Sequence, residues 1–487
     1  MRSFVQRALV GLGMVAAGVG VGFVGRAWHA SMLPGTYNAM DFGRIEFGGG
    51  PPVPHSGSLS VAKLLGPREA PDARFRLVAR QADVRLASGH VVHALTFDGR
   101  SPGPELRVHQ GDLVEVVLEN DDVDGGVTIH WHGVDVPNAE DGVAGVTQDA
   151  VRPGERYTYR FRATRAGTYW YHSHQISDSE VRRGLFGAFV VLPREPLPPG
   201  TLDLIVVAHD FGGTLTLGSS DRVERRAVGP GTPVRLRLVN SLGRPLTFRV
   251  GPTPYRVLAI DGVDLNAPSP LRGTKLVLAG GGRYDIGFTM PAQPAALELA
   301  GSDASLALSP DGHADPPPLE AETEFDPARY GRPAPTPFGP TARFDRTFTM
   351  PIGKKLGFMD GHVGFHWSLN GRVYPHVPMF VVERGDLVKV EIANKTSSVH
   401  PMHLHGHHAL VLSRDGKPTT GSPWWVDTLD VDPGQRVEIA FRADNPGIWM
   451  DHCHNLRHAA AGLTMHVAYA GVSTPFALGG RSRNRPE

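Results

Sequence analysis

Phe441-Arg-Ala-Asp-Asn-Pro-Gly-Ile-Trp-Met-Asp-His-Cys-His454 carries the only cysteine of the chain, Cys453, between His452 and His454. Phe161-Arg-Ala-Thr-Arg-Ala-Gly-Thr-Tyr-Trp-Tyr-His-Ser-His174 is a second copy of the same stretch, with Ser173 in place of the cysteine. Working upstream, the strand-like runs Val114-Glu-Val-Val-Leu-Glu-Asn120 and Val388-Lys-Val-Glu-Ile-Ala-Asn394 precede the two copies. Val234-Arg-Leu-Arg-Leu-Val-Asn240 is a third member. Each alternates apolar and polar side chains over most of its length, as a half-buried strand does, and each ends on asparagine. Each is followed, about forty residues on, by a glycine turn and another alternating run: Pro153 to Phe161, Gly281 to Phe288 and Pro433 to Phe441. That spacing is too long for a solenoid repeat and suits duplicated β-domains.

The bulk numbers agree. A chain of 487 residues suggests about three domains at roughly 150 residues each. Gly 59 and Pro 42 make it turn-rich, which favours many short strands in sandwiches or barrels. We therefore expect an all-β protein with domains at 72–195, 196–345 and 346–475 and a tail at 476–487; the Pro-rich stretch Pro316 to Pro340 joins the second to the third. Forty-nine basic and 49 acidic residues cancel, so nucleic acid is not expected as a partner, nor is an anionic surface. One cysteine excludes an internal disulfide.

At the N-terminus Arg2 and Arg7 precede the apolar run Ala8 to Val24, and Arg26 follows it. This is the pattern of an export signal, expected over 1–30. The run is near the lower limit for a membrane span, so a cleaved leader and an uncleaved membrane tether both stay open. Periplasmic, surface or extracellular placement follows. Residues 31–71, with Gly48-Gly-Gly-Pro-Pro52, read as a Gly/Pro-rich linker or loose arm.

The copies differ in chemistry. In a strand, residues i and i+2 share a face, so His-x-His aims two imidazoles at one place. Five such pairs occur: 130/132, 172/174, 403/405, 405/407 and 452/454. His130-Trp131-His132-Gly133 matches His403-Leu404-His405-Gly406. Val127 stands where the third unit has His400, and Asp178 where it has His458. The second unit has Phe248-Arg249-Val250 at the corresponding place and no such cluster. Imidazole clusters suit several transition metals, and the adjacent thiolate narrows the choice to copper.

These residues resemble the four copper signatures of the multicopper oxidases, a family that includes laccases, cuprous oxidases and bilirubin oxidases. The signatures are His130-Trp-His132-Gly, Tyr171-His172-Ser-His174, His400-Pro-Met-His403-Leu-His405-Gly-His407 and His452-Cys453-His454 with His458. Thr96-Phe-Asp-Gly99 and Pro102-Gly-Pro104 are similar to the family's entry to its first copper domain. The resemblance covers about 72–475 and implies three cupredoxin-like Greek-key β-sandwiches. It also implies four copper ions. His400, Cys453 and His458 would bind a mononuclear blue copper. His130 and His403 would hold the single ion of a trinuclear cluster; His132, His172 and His454 one of its paired ions, and His174, His405 and His452 the other. The implied activity is one-electron oxidation of a phenolic or aromatic donor coupled to reduction of dioxygen to water. A cuprous or other metal-ion oxidase, and a non-enzymatic copper-binding or assembly protein, are the alternatives.

Five positions along the family pattern, the axial place beside the blue copper falls on Leu463. Many bacterial relatives have Met there and high-potential fungal laccases Leu or Phe, so the resemblance implies a raised potential. Met465, two residues on, reads as packing. Asp141 stands where relatives place a catalytic acid near the dioxygen cluster. Asp451 reads as solvated turn or tuner of a histidine, His407 and His408 as supporting polar residues, and Trp424-Trp425 as packing or a donor-side wall. No Met-rich insert of the cuprous-oxidase kind is present among the 11 methionines.

Overall fold

The computed structural model describes residues 22–320 and 323–487. Its strands form three pairs of facing sheets. In the first pair, the strands Val91–Phe97, Ala73–Arg85, Leu113–Asn120 and Arg156–Arg162 face Leu106–His109, Phe186–Leu192, Gly167–His172 and His130–His132. The second pair has six strands in each sheet, the third six and seven.

The repeated runs form one ladder three times over. Val114 lies opposite Phe161, Val234 opposite Phe288 and Val388 opposite Phe441, each in an antiparallel pair. A parallel neighbour flanks each on the other side, starting at Ala73, Leu202 and Arg346. Alternation does the sorting: Val114, Val116 and Leu118 are fully buried while Glu115 and Glu119 are not. The closing asparagines have a structural cause. Asn120 Nδ2 donates to Val123 O and Val151 O, Asn240 Nδ2 to Leu278 O and Ala279 O, and Asn394 Nδ2 to Ser398 O and Val431 O. Each buried side chain thereby supplies donors to carbonyls where strands run out into loops.

The first sandwich has its own core, whereas the cores of the second and third run together. Trp170, Phe186, Val207, Val239 and Leu456 form a small cluster drawing on all three.

One expectation needs correction. Residues 31–71 are no loose arm. Arg44–Glu46 adds an edge strand beside Pro378–Val382, Thr36–Tyr37 pairs with Leu478–Gly479, and Leu59–Ser60 with Val472–Ser473. Their glycines serve close approach: a Cβ on Gly66 would sit 1.6 Å from Arg160 O. The tail at 476–487 is likewise built in. Asn484 Oδ1 accepts from Ala150 N at 2.9 Å, and Arg485 N donates to Gln175 Oε1 at 2.9 Å. Composition does not separate a strap from a tether, because both need turns and both lack an apolar period.

The expected export segment lies mostly outside the described residues. Residues 22–31 are helical and exposed except at Ser31. Among the described residues no helix is long and apolar enough to cross a membrane.

Candidate metal centre

The strand Ile448–Cys453 is buried throughout. Cys453 points to one side of it, with His400 Nδ1 3.6 Å and His458 Nδ1 3.7 Å from its Sγ. His400 comes from the neighbouring strand His400–Leu404, His458 from the short helix Leu456–Ala460. The remaining ring nitrogens are tied elsewhere: His400 Nε2 to Thr396 Oγ1 at 2.8 Å, His458 Nε2 to Asn455 Nδ2 at 3.3 Å. Burial and nearby positive charge push both imidazoles down, to about 3 for His400 and about 4 for His458, so both rings are neutral at neutral pH, each with one nitrogen free of hydrogen. Burial pushes the Cys453 thiol well above its usual value; a bound cation is what would make it a thiolate. Leu463 is fully buried, and its carbonyl accepts the Cys453 N–H at 3.0 Å. Met465 pairs instead with Asp451.

On the other side of the strand, at the seam between the first and third sandwiches, eight histidines converge. Most have one nitrogen committed to a protein acceptor. His130 Nδ1 donates to Asp141 O at 3.0 Å, and His403 Nδ1 to Asp427 O at 2.9 Å. His172 Nδ1 donates to Ser173 O at 2.9 Å and His174 Nδ1 to Pro486 O at 3.1 Å. His405 Nδ1 lies 3.0 Å from Asp141 Oδ2. His132 is tied at Nε2, to Thr428 Oγ1 at 3.0 Å.

A carbonyl only accepts, so each such contact fixes the proton there and leaves a lone pair on the opposite nitrogen. Those nitrogens include His172 Nε2 and His174 Nε2, both buried without a partner; His132 Nδ1 and the two nitrogens of His454 are buried without a partner as well. His130 Nε2 and His403 Nε2 face each other at 3.4 Å, and His405 Nε2 and His452 Nε2 at 3.1 Å. The lone pairs of His130 Nε2 and His403 Nε2, both fixed by carbonyl contacts at Nδ1, repel unless a cation lies between them. Burial, then the neighbouring imidazoles, hold His132, His172, His174, His403, His405 and His454 well below the ordinary histidine range, so protons do not supply that charge. The donor set fits metal ions.

Ring-to-ring distances bring His132, His172 and His454 within 5.0–5.8 Å of one another, and His174, His405 and His452 within 5.0–5.2 Å. His130 and His403 lie between, at 5.6 Å.

Residues 79–196 and 343–471 each match a family model described as multicopper oxidase, and together these segments span just over half of the chain. The chain belongs to the multicopper oxidases. It is 26% identical to the multicopper oxidase MmcO of Mycobacterium tuberculosis, covering 96% of this chain and 97% of the relative. Laccase-1 of Botryotinia fuckeliana is 27% identical over 76% of this chain and 77% of its own. The crystal structure of a multi-copper oxidase from Pseudomonas thermotolerans superposes with a TM-score of 0.66 at 29% identity, over 82% of this chain and 100% of that one. This multicopper oxidase is a copper-dependent oxidoreductase, its sandwiches are cupredoxin-like, and copper is the metal its histidine clusters suit.

The multicopper oxidase site has surroundings that local sequence did not announce. Asp427 is buried 3.2 Å from His132 Nε2 and accepts Arg283 Nη1 and Nη2 at 2.6 Å each. Arg283, fully buried, comes from the second sandwich, the one without a histidine cluster. Glu487 Oε1 lies 3.0 Å from His452 Nδ1, off the axis of a good hydrogen bond. Trp367 lies 4.4 Å from His458 and 4.9 Å from His400, ring to ring. The weaker sequence signals sort out as follows. Asp141 touches two clustered histidines, His130 through its carbonyl and His405 through its carboxylate. Asp451 is buried, not a solvated turn, and burial pushes its carboxyl up to about 7. His407 Nδ1 donates to His405 O, and His408 Nε2 to Asp261 O, so both brace the site from behind. Arg414 lies over Trp424, and Trp425 meets Phe338 edge to face, as packing.

Proposed function

We propose a laccase-like oxidase, exported, with domain limits near those read from the repeats, that takes single electrons from a phenolic or aromatic donor and reduces dioxygen to water. The observation that carries it is the strand on which Cys453 faces His400 and His458 while its neighbours His452 and His454 face the eight-histidine cluster. His400, Cys453 and His458 would hold the mononuclear copper. His130 and His403 would hold the single ion of the cluster, His132, His172 and His454 one paired ion, and His174, His405 and His452 the other. Copper, when bound, supplies the reversible one-electron redox that couples four donor oxidations to reduction of one dioxygen by four electrons and four protons to two waters.

The chain's own part is positional. Two peptide bonds from Cys453 reach imidazoles of the cluster, a short covalent path between the two donor sets. Carbonyls of Asp141, Ser173, Asp427 and Pro486 lock the ring tautomers. Asp141, at the cluster's edge, is placed to serve the dioxygen chemistry. Leu463, an aliphatic side chain, would offer the ion held by His400, Cys453 and His458 no further ligand atom.

An organic donor is favoured by a cavity of about 690 Å³ that starts beside the helix carrying His458 and is lined in part by Leu33, Tyr37, Met359, Tyr374 and Gly462. That size suits an aromatic molecule. Purified with copper, the protein should be blue and consume oxygen with a phenol panel. Catalytic efficiency on Cu(I) is the counter-measurement. A strong preference for Cu(I) would replace the organic reading with metal-ion oxidation, and a colourless copper-loaded protein without oxygen uptake would sink both.

A further inference from the structure

Seven of the eleven exposed large apolar side chains among the described residues lie in two segments that touch each other. Phe23, Val24, Trp28 and Met32 belong to the helix of residues 22–31 and the residue after it. Leu356, Val363 and Phe365 belong to the long hairpin of Arg346–Met359 and His362–Leu369. The helix is fastened to the hairpin tip. Trp28 Nε1 donates to Gly361 O at 3.0 Å, Gly361 N to Ser31 Oγ at 3.1 Å, and Leu33 N to Asp360 Oδ1 at 3.1 Å.

Register puts the apolar groups on one face. Leu356 lies opposite Phe365, Phe358 opposite Val363 and Lys354 opposite Trp367; cross-strand partners and i/i+2 neighbours share a side. Phe365 is 73% exposed, Val363 69% and Leu356 60%. Apolar side chains concentrated this way mark an interaction surface, not ordinary scatter.

The chain itself indicates the partner. The run Ala8 to Val24, without one charged residue, leads straight into this helix. Arg26, Lys354 and Lys355 are the exposed Arg and Lys side chains of these segments, and Asp360 at the tip is engaged by Leu33 N. An apolar surface carrying Trp, bordered by Lys and Arg and continuous with an apolar segment, has the make-up of a membrane-interface element. Zero net charge over the whole chain does not bear on cations gathered locally.

We propose that residues 22–32 and the hairpin face of 354–367 dock on the surface of a lipid bilayer. Leu33, Tyr37, Met359 and His362, next to these segments in the chain, line the 690 Å³ cavity; the pair Met359 and His362 alternates to the other side of the hairpin from Phe358 and Val363.

The test uses the full-length protein carrying a nitroxide on Val363→Cys. Cys453 is fully buried and does not compete for the label. On adding vesicles of mixed phosphatidylcholine and phosphatidylglycerol, collision with a water-soluble relaxation agent should fall several-fold at residue 363. A label on Val223→Cys, exposed in the second sandwich, should not change. Phe365→Cys repeats the measurement should the first variant misfold. Flotation with vesicles while both hairpin labels stay in water would mean a tether alone and overturn the proposal. Shielding of the labels before any lipid is added would assign the face to residues 1–21 or to a second copy, and absence of flotation would remove the lipid altogether.

Discussion

Ser173 and Cys453 stand at the same place in two copies of one sandwich, with the same backbone contact: Ser173 N donates to Leu185 O at 3.1 Å, Cys453 N to Leu463 O at 3.0 Å. Their side-chain surroundings share nothing. Cys453 has His400 and His458 beside its sulfur. Ser173 has buried Val127 at the place of the first, while Asp178, at the place of the second, turns outward to Arg182 at 2.9 Å. Its hydroxyl donates instead to the buried carboxyl group of Glu180, at 2.6 Å. The fold survives intact where the metal chemistry is absent, so the ladder and the ligands are separable layers of the design. A third position extends the comparison. Arg156, Arg283 and Arg436 start the same strand of the three units, opposite Glu119, Val239 and Ala393. Arg156 and Arg436 are exposed, whereas Arg283 is fully buried against Asp427.

The largest effect is expected from making the third unit like the first. Cys453→Ser should remove the blue absorption and lower turnover by at least about a thousandfold, a hydroxyl being a poor soft ligand. Copper analysis should still find the cluster loaded, since its eight histidines are untouched. The converse, Ser173→Cys, should create no blue site, because Val127 and Asp178 offer no imidazole. Normal turnover in the first variant, or a blue second one, would break the comparison.

Next comes the arginine series. Arg283→Met leaves Asp427 a buried charge without its partner and should cost about 3–5 kcal/mol in denaturant unfolding. The same change at Arg156 or Arg436 should cost less than about 1 kcal/mol. Equal losses at all three would mean that the second sandwich does not contribute specially to the seam.

Glu180 gives a pH test. Burial pushes its carboxyl well above the usual range, the Ser173 hydroxyl only partly offsetting this. A raised folded value means the native state holds a proton the unfolded chain releases, so stability falls as pH rises above the ordinary glutamate value. The slope from this group is about 1.4 kcal/mol per pH unit until its folded value is reached. Glu180→Gln should remove that slope, and the two unfolding curves should diverge with rising pH in favour of the variant. Parallel curves would show that Glu180 is charged in the native protein.

The smallest effect is expected at Leu463→Met. Its volume hardly changes, so packing should cost less than about 1.5 kcal/mol. An axial thioether favours the oxidised ion, so a redox titration should show a lower potential and the hardest phenols should slow most. An unchanged potential would move attention to Met465.

The convergence of histidines from the first and third units was legible because it rests on local rules. Alternation along a strand aims His-x-His to one side, and the repeat says that two such strands occupy equivalent places. The all-β reading rests on the same periodicity, seen three times. What the chain did not show is whatever depends on segments that meet only after folding. Asp141 and His405 touch across 264 positions, His174 and the Pro486 carbonyl across 312. The arm at 31–71 looked like a tether because edge pairing leaves no pattern in so few residues. Arg283 shows the limit most plainly. Its repeat position is as readable as those of Arg156 and Arg436, yet its burial against Asp427 and Asp261 is set by packing between sandwiches. Sequence by itself determined which side chains alternate, which units repeat and which unit carries the thiol, all consequences of short-range backbone geometry. Only the tertiary structure decided which charges are buried together at the seam and which nitrogens are left free, because desolvation and hydrogen-bond competition depend on everything packed around a group, not on its neighbours in the chain.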